Sequence, residues 1–553
     1  MRVSGSSGAT SVQAIAGTNV VLFGMDVAED SRAGLAGFAI EVDDGGGRGF
    51  QPLRNLLLYE ANDVGEKPDH SSLLNPFQSF VWGHYTVDPG RAYTYRVTSL
   101  GGGPGALEER DVVELEVQTE SETVGRHAIF FNRGPAAAQA YAIKFHNEDP
   151  RGHDDALAWL SRGLEEGLLG FIAQARGPGF GLRGSLYEFQ YEPVLQALKQ
   201  ASDDGADVKL IYDCVPNSKG EPVDRNHDAV DHVHMRDLMI ERTNGIPISH
   251  NKYLVLLEDG EPTAVWTGST NITTSGIFGH LNLGHVVRDP TVAASYLAHW
   301  EALSHDPPAD SIKDVNDEQL PSFDEKPPPG ITTLFSPHHG LKVLKWYAKL
   351  MDEASSSVFL TAAFGVSQIL HAVFEEPKDY LRYLLLETED GSIETISRDP
   401  DNRVAAGAFI GEGGFRQWQK EMLATIGLTE HVHFIHTKFM LIDPLGEDPI
   451  VITGSANFSP NSTSSNDENM LVIRGDQAVA DVYVGEFMRS FVAFNFRGKV
   501  GVKGGEMAPN PSTPAPDPQT PLHLDPTDGW TDPYYTADDP KQKERLLFRA
   551  PAA

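Results

Sequence analysis

The spacing of apolar residues changes near residue 125, and this change separates two kinds of predicted structure. Before it, short runs of β-forming residues alternate with turn signals such as Gly45–Gly47 and Pro89–Gly90. Regular short strands divided by glycine and proline indicate an antiparallel β-sandwich. The predicted strands are Ser11–Ala16, Val20–Val27, Gly37–Val42, Ser79–Thr86 and Tyr93–Leu100.

After residue 125, strands alternate with longer segments of helical periodicity. Leu157–Arg176 and Tyr191–Ser202 have helical spacing, whereas Val208–Tyr212 and Tyr253–Leu257 are strand-like. The same alternation returns between about 335 and 500, beginning with the predicted helix Leu341–Glu353. Alternating strands and helices predict an α/β fold with a mainly parallel sheet in each half.

Proline-rich segments place the boundaries between these regions. We predict a β-sandwich over 1–122, α/β halves over 123–306 and 331–500, an acidic linker over 307–330 and a proline-rich tail over 501–553. The segment Trp530–Phe548 regains aromatic residues. We therefore expect this end of the tail to pack back on the folded body.

The two α/β halves carry the same short motif. His250–Lys252 precedes Gly268–Asn271 in the first half, and His436–Lys438 precedes Gly454–Asn457 in the second. The glycine follows the histidine by 18 positions in both copies. Two chance occurrences at equal spacing are improbable, so the duplicated motif is the main functional signal of the sequence.

Each motif collects groups that suit a phosphate. Residues i and i+2 of a strand face the same side, so each histidine projects together with its lysine. The glycine permits a tight turn, after which serine and asparagine side chains can donate hydrogen bonds to phosphate oxygens. Together the ammonium groups and amides can neutralise charge developing on phosphorus. The predicted catalytic residues are His250, Lys252, His436 and Lys438, and the predicted substrate-binding residues are Ser269, Asn271, Ser455 and Asn457.

The duplicated pattern resembles the double His-x-Lys-x4-Asp motif of the phospholipase D superfamily. The second copy is complete and includes Asp443, whereas the first has Leu257 at that position. The resemblance implies two α/β halves packed as a pseudo-dimer around one shared active site. It further implies phosphodiester cleavage through a phosphohistidine intermediate, with no metal and no cofactor. In the family this aspartate is mainly structural, so Leu257 weakens the motif match more than the chemistry.

A second pair of positions distinguishes the two copies. Glu468 lies 32 positions after His436, and Asn282 lies 32 positions after His250. The resemblance implies that an acidic residue here orients the histidine of the other half, so Glu468 should hold His250. A carboxylate partner raises imidazole basicity and fixes its tautomer. The asymmetry favours His250 as nucleophile and His436 as general acid.

The β-sandwich also carries a resemblance. Asp88–Val97 is similar to the sixth strand of a fibronectin type III domain, in which Tyr93 would be the tyrosine corner. The similarity covers ten residues. A generic antiparallel sandwich predicts nearly the same shape.

Charge bears on the substrate. The chain has 44 basic and 78 acidic residues, for a net charge of −34, and such an excess repels polyanions at long range. We therefore expect a phospholipid substrate, with a metal-independent nuclease as the alternative. A third hypothesis is a non-catalytic binding protein with a degenerate site, which the two intact His-x-Lys pairs argue against.

Other features of the sequence set further expectations. No apolar run reaches the length of a membrane span, and the start of the chain lacks a secretion signal, which favours a soluble, cytoplasmic protein. The single cysteine, Cys214, is expected to be buried and structural. The pairs His232/His234 and His431/His433 have possible ligand spacing, but without further ligands we predict no metal site. Glu188 follows a predicted strand and could face the site cleft, but the sequence favours an ordinary exposed carboxylate.

Overall fold

The first region of the chain forms two four-stranded antiparallel sheets. The strands of this region are β1 (Arg2–Ser7), β2 (Thr10–Ala16), β3 (Val21–Val27), β4 (Leu35–Asp43), β5 (Gln51–Pro52), β6 (Val81–His84), β7 (Ala92–Gly103) and β8 (Ala106–Gln118). One sheet has the order β1-β2-β3-β6 and the other β5-β4-β7-β8. Phe23, Ile40 and Tyr95 belong to the apolar cluster between them. The computed structural model describes residues 1–65, 68–214, 224–387, 391–407, 434–500 and 523–550.

The tyrosine contact expected in this sandwich is present. The hydroxyl of Tyr93 accepts a hydrogen bond from the backbone N–H of Asp88 at 2.8 Å. The ring is 6% exposed, so the hydroxyl is the part that reaches the polar backbone. The resemblance to a fibronectin type III domain stays a prediction, since this single contact occurs in several kinds of sandwich.

The first α/β half is built on a seven-stranded sheet. Its strands are β9 (His127–Phe131), β10 (Phe180–Leu186), β11 (Asp207–Asp213), β12 (Met239–Arg242), β13 (Lys252–Glu258), β14 (Glu261–Gly268) and β15 (Leu283–Val287). Their order is β12-β11-β10-β13-β14-β15-β9. The helices are α1 (Ala138–Phe145), α2 (Asp154–Ser161), α3 (Leu164–Ile172), α4 (Glu192–Asp203), α5 (Asp224–His232) and α6 (Pro290–Leu303).

The second half repeats this plan. Its strands are β16 (Gly330–Ser336), β17 (Ser357–Ala362), β18 (Leu381–Leu386), β19 (Asn402–Ala406), β20 (Phe439–Ile442), β21 (Ile450–Gly454) and β22 (Glu468–Arg474), in the order β16-β22-β21-β20-β17-β18-β19. The helices are α7 (Ala309–Glu318), α8 (Lys342–Asp352), α9 (Gln368–Glu375), α10 (Gly391–Ile396), α11 (Pro460–Ser464) and α12 (Gln477–Val500). The prediction of two α/β halves behind an all-β region is confirmed.

The prediction of mainly parallel sheets is wrong. In the first half β10–β11 and β11–β12 run parallel, and the other four neighbouring pairs run antiparallel. The second half has the same division, with β17–β18 and β18–β19 parallel. The reason is the connection between the two motif strands, since only Asp259 and Gly260 join β13 to β14. A connection of two residues makes a hairpin, whereas a parallel pair needs a long crossover.

Two segments expected to be irregular contain helices. Helix α7 lies inside the predicted linker and buries Ile312 and Asn316, which are four residues apart on one face. Near the chain end, α13 (Asp532–Tyr535) and α14 (Pro540–Phe548) pack on the sandwich, as expected for this aromatic segment. The proline-rich stretch 502–527 is expected to be extended or mobile, and its residues 502–522 lie outside the described residues.

A few single-turn elements complete the secondary structure. The 3-10 turns are Glu29–Ser31, Glu60–Asn62, Gly134–Ala137, Arg236–Leu238 and Asp528–Thr531, and Ser275–Gly279 forms one π-helical turn. Among the residues that the structure describes, no helix is both long and apolar enough to cross a membrane.

Candidate active site

Backbone hydrogen bonds between the halves bring the two His-x-Lys motifs together. The N–H of His250 donates to the carbonyl of Asp467 at 2.9 Å, and the N–H of His436 donates to the carbonyl of Leu281 at 3.0 Å. Asp467 directly precedes Glu468, and Leu281 directly precedes Asn282. Each histidine is therefore fixed beside the orienting position of the opposite half, and one centre contains both motifs.

The side-chain contacts expected from the sequence are present. Nδ1 of His250 lies 2.7 Å from Oε2 of Glu468, and Nδ1 of His436 lies 3.0 Å from Oδ1 of Asn282. Because Nδ2 of Asn282 donates to the carbonyl of Gly276, its amide oxygen must face His436. Both acceptors require a proton on Nδ1, which leaves Nε2 of each imidazole as the nitrogen available for chemistry.

The two lysines are held by their own motifs. Nζ of Lys252 donates to the carbonyl of His250 at 2.8 Å, and Nζ of Lys438 donates to the carbonyl of His436 at 2.6 Å. Burial lowers the pKa of Lys252 to about 8, against the attraction of Glu468. Burial, together with Lys252, holds the pKa of Lys438 well below its usual range. Burying two ammonium groups without an anion therefore costs free energy. A bound anion would offset that desolvation penalty.

Both imidazoles are also weak bases in this environment. Burial lowers the pKa of His250 to about 4, while Glu468 opposes the shift. Burial and the neighbouring Lys438 hold the pKa of His436 well below its usual range. Neutral imidazole is the form that a nucleophile needs, so His250 is ready at neutral pH. His436 needs a bound anion to raise its pKa before it can act as an acid.

The serines of the two turns differ from expectation. Ser269 donates its hydroxyl to Oδ1 of Asn282 at 2.8 Å, and Ser455 donates to Oε2 of Glu468 at 2.7 Å. Both hydroxyl oxygens also accept backbone N–H groups, and both residues are 0% exposed. A hydroxyl has one proton to donate, so neither serine is available to a phosphate oxygen. Instead they brace the groups that orient the histidines.

The glycine of each turn is required by space. Gly268 and Gly454 have φ values of 142° and 159°. A Cβ atom would lie 2.4 Å from the carbonyl oxygen of Leu283 or 2.2 Å from that of Asn469. Only glycine allows the backbone to approach its neighbour this closely, and this approach positions the serine and asparagine that follow in each motif.

The asparagines of the two turns have different surroundings. Nδ2 of Asn271 donates to Oε2 of Glu188 at 2.5 Å, and both residues are buried. The expectation that Glu188 is exposed is wrong, because it follows β10 directly into the site. Asn457 has the matching place in the second half and is half-buried. Each primary amide has two N–H donors, so Asn271 retains one for a ligand.

Asp443 lies at the far end of β20 from the histidine and acts on the backbone. Its carboxylate accepts hydrogen bonds from the N–H groups of Ser355, Ser356 and Ser357 at 2.6–3.1 Å. Leu257, at the corresponding place, is 6% exposed and belongs to an apolar cluster. The difference between the motif copies therefore concerns how a strand end is anchored.

Two buried carboxylates near the site were missed by sequence reasoning. Asp213, at the end of β11, accepts a hydrogen bond from the N–H of Ser249 at 2.8 Å. Glu387, just after the matching strand β18, accepts one from the N–H of Ile435 at 2.6 Å. These N–H groups belong to the residues directly before the two motif histidines. Two acids at equivalent strand ends are a signal that a comparison of the halves beyond the motifs could have found.

An aromatic ring lies on one side of the centre. The ring of Tyr187 lies 4.9 Å from that of His250 and 5.1 Å from Nζ of Lys252, measured from its centroid. In the second half, the register of β17 with β20 gives Ala363 the equivalent place. The two sides of the site therefore differ in bulk, and the contact with Tyr187 favours a protonated Lys252.

The pair His232/His234 does not join this centre. His232 ends α5 with an exposed side chain next to Glu192 rather than lying on a strand. His431 and His433 lie outside the described residues.

The fold and the paired histidine–lysine motifs define a class of protein in which two α/β halves form one centre. A family model described as "Cardiolipin synthase, PLD-like domain" matches residues 171–304 and 400–490. These matched parts of the two α/β halves belong to the phospholipase D superfamily, whose members are enzymes that act on phosphodiesters. The match does not reach the β-sandwich. Comparison with curated protein sequences finds no significant match.

Several solved structures show similarity to parts of this chain. Phosphatidylserine synthase from Haemophilus influenzae is 11% identical over 60% of this chain and 85% of its own, with a TM-score of 0.43. Yeast tyrosyl-DNA phosphodiesterase is 12% identical over 56% and 86%, with a TM-score of 0.31. Polyphosphate kinase from Porphyromonas gingivalis is 11% identical with a TM-score of 0.37. The similarity covers 57% of this chain and about half, 46%, of the kinase.

Proposed function

We propose that the protein hydrolyses a phosphodiester by phospholipase D-type chemistry, through a phosphohistidine intermediate. The observation that carries the proposal is the pair of unequal contacts, Glu468 to His250 and Asn282 to His436. A carboxylate stabilises positive charge on its imidazole, which forms when that ring attacks phosphorus. An amide offers much less, so the other imidazole gives up a proton more readily.

In the first step, Nε2 of His250 attacks phosphorus and the bond from phosphorus to the leaving alcohol breaks. His436, protonated on Nε2, gives that proton to the departing oxygen. Lys252, Lys438, Asn271 and Asn457 hold the phosphoryl oxygens and balance the charge of the transition state. The histidine proton must be acquired as the anionic diester binds, since burial disfavours it in the empty site.

In the second step, water attacks phosphorus from the side that the alcohol has left. Neutral His436 takes a proton from this water, the P–N bond breaks, and His250 recovers its neutral form. The product is a phosphomonoester. An alcohol in place of water would give transfer to a new headgroup by the same path. The ammonium groups and amides supply the positive charge, so this mechanism requires no metal ion.

A phospholipid headgroup is the proposed substrate class. The net charge of −34 disfavours long polyanions, and the matching family model is described by a phospholipid synthase. A nuclease is the second candidate, because a short nucleic acid end carries the same diester. The enclosed centre, with all four catalytic side chains at most 7% exposed, disfavours a duplex.

The experiment compares three substrates under identical conditions in EDTA: phosphatidylcholine vesicles, single-stranded DNA and a chromogenic phosphodiester. Wild type should release choline from the vesicles and cleave the chromogenic diester, whereas His436→Ala should turn over neither. Cleavage of DNA with no release of choline would establish the nuclease instead. If wild type cleaves none of the three substrates, both enzyme hypotheses fail and the protein is a non-catalytic binding protein.

A further inference from the structure

A second cluster of reactive side chains lies on the opposite face of the first-half sheet from the catalytic centre. Side chains alternate along β11, so Tyr212 and Cys214 share one face while Asp213 turns toward the catalytic lysine. In the parallel pair β11–β12, Tyr212 is in register with Glu241. Neighbouring strands lie about 4.8 Å apart, which brings Cys214 and Glu241 together on a rigid support.

Helix α5 supplies a third group above this pair. Nε2 of His227 lies 3.2 Å from Sγ of Cys214 and 3.5 Å from Oε1 of Glu241. All three potential ligand atoms lie within 4.8 Å of one another. Tetrahedral zinc bonded to sulfur, nitrogen and oxygen holds its ligand atoms roughly 3.4–3.6 Å apart. Small side-chain rotations would bring the three atoms to that spacing.

We propose that Cys214, His227 and Glu241 bind one divalent transition-metal ion of the zinc class. A thiolate and an imidazole favour zinc or cobalt over magnesium or calcium. Three protein ligands leave a fourth position for water. On binding, the thiol of Cys214 loses its proton to solvent and the sulfur bonds to the metal, with no change of oxidation state.

The protonation of the thiol adds a testable property. Cysteine binds a metal as the thiolate, so the metal must displace the proton of a neutral thiol. Apparent affinity should therefore increase with pH.

Among the side chains that the structure describes, Arg236 is a cation that competes for Glu241. Its Nη1 lies 3.6 Å from Oε1 of Glu241, but its Nε and Nη2 each contact the carboxylate of Asp231 at 2.7 Å. Arg236 thus has a closer carboxylate of its own. Glu241 is exposed and accepts a long hydrogen bond, 3.4 Å, from the hydroxyl of Tyr212, so its carboxylate can turn from the arginine to a metal.

The location suggests what the ion does. Asp213, the residue directly before Cys214, accepts the hydrogen bond that positions the backbone before His250. A metal that ties α5 to the end of β11 would stiffen this support without contacting the substrate. We therefore expect the ion to raise the melting temperature and to leave hydrolysis in EDTA largely intact.

The test uses the full chain, stripped with EDTA and titrated with Co²⁺. Because the chain has one cysteine, a thiolate-to-cobalt charge-transfer band in the near ultraviolet can come only from Cys214. We expect one equivalent of Co²⁺ to produce the band and Zn²⁺ to abolish it. Absence of the band in folded wild type would overturn the proposal.

Variants then identify the other ligands. His227→Ala and Glu241→Gln should weaken Co²⁺ binding at least tenfold while circular dichroism stays unchanged. His232→Ala, at the exposed end of the same helix, is the matched control and should bind as wild type does. Equal binding by His227→Ala and His232→Ala would contradict the assignment. Equal Zn²⁺ stoichiometry in Cys214→Ser and wild type would contradict it as well.

Discussion

The two halves of the centre share their backbone plan and differ in the group that holds the opposite histidine. In both, the segment that leads into a strand carries histidine and lysine, a glycine turn places serine, and a buried acid supports the residue before the histidine. The second half gives Glu468 to His250, whereas the first gives Asn282 to His436. A duplicated scaffold can thus assign different proton chemistry to two imidazoles by a change of carboxylate to amide.

The largest expected effects come from removing each imidazole. His250→Ala and His436→Ala should each reduce kcat/KM for a phosphodiester by about 10²–10⁴-fold or more. They should differ on a diester with a nitrophenyl leaving group, which departs without a proton. His436→Ala should give a burst of about one equivalent of nitrophenol and then stall. His250→Ala should give no burst, and a burst from it would reverse the roles.

The next effect tests the unequal partners directly. Glu468→Gln removes the carboxylate from His250 and should reduce kcat/KM by about 10–100-fold. Asn282→Asp gives His436 the partner that His250 already has, and it should change kcat/KM only a few-fold. Equal losses from the two variants would show that the partners are interchangeable.

The pH profile sharpens the same comparison. With a nitrophenyl diester, whose leaving group needs no proton from His436, wild-type kcat/KM should fall below about pH 4 as His250 gains a proton and above about pH 8 as Lys252 loses one. Glu468 raises both of these pKa values, so Glu468→Gln should move both limbs to lower pH. A profile that moves to higher pH in this variant would contradict the assigned electrostatics.

A smaller effect is expected at the two supporting acids. Asp213→Ala and Glu387→Ala should each lower kcat about tenfold, because the chain before each histidine loses its hydrogen-bond acceptor. The isosteric variants Asp213→Asn and Glu387→Gln keep an acceptor oxygen and should recover most of the rate. If the amide variants are as impaired as the alanine variants, charge rather than positioning is the contribution of these residues.

The smallest effect on activity is expected at the position where the motif copies differ. Asp443→Ala should lower the free energy of unfolding by about 1–3 kcal/mol, since three backbone N–H groups lose their acceptor. The kcat should stay within about twofold. Leu257→Asp should also destabilise, because it buries a carboxylate among apolar side chains. Denaturant unfolding and steady-state kinetics measure both quantities.

The sequence predicted the parts of the site that a repeated spacing reveals. Equal spacing in two copies identified the histidines and lysines, and the following positions identified Glu468 and Asn282. The all-β region and the two α/β halves followed from the periodicity of apolar residues. The docking of Trp530–Phe548 followed from its aromatic composition.

The remaining features depend on three-dimensional packing. Ser269 and Ser455 have the right chemistry for phosphate, but their neighbours after folding accept their protons instead. Glu188 and Asp213 lie at strand ends where local pattern does not separate a buried acid from an exposed one. The direction of the strands was mispredicted because the alternation of strands and helices concealed the hairpin between β13 and β14.

The most direct test of the account is the location of the covalent intermediate. His436→Ala should be mixed with a labelled phosphodiester, quenched within the burst, and digested for mass spectrometry of the histidine-containing peptides. The account predicts a phosphoryl adduct on the peptide that contains His250. Adding Glu468→Gln to the variant should strongly reduce this adduct. In wild type, an adduct on His436 with none on His250 would contradict it.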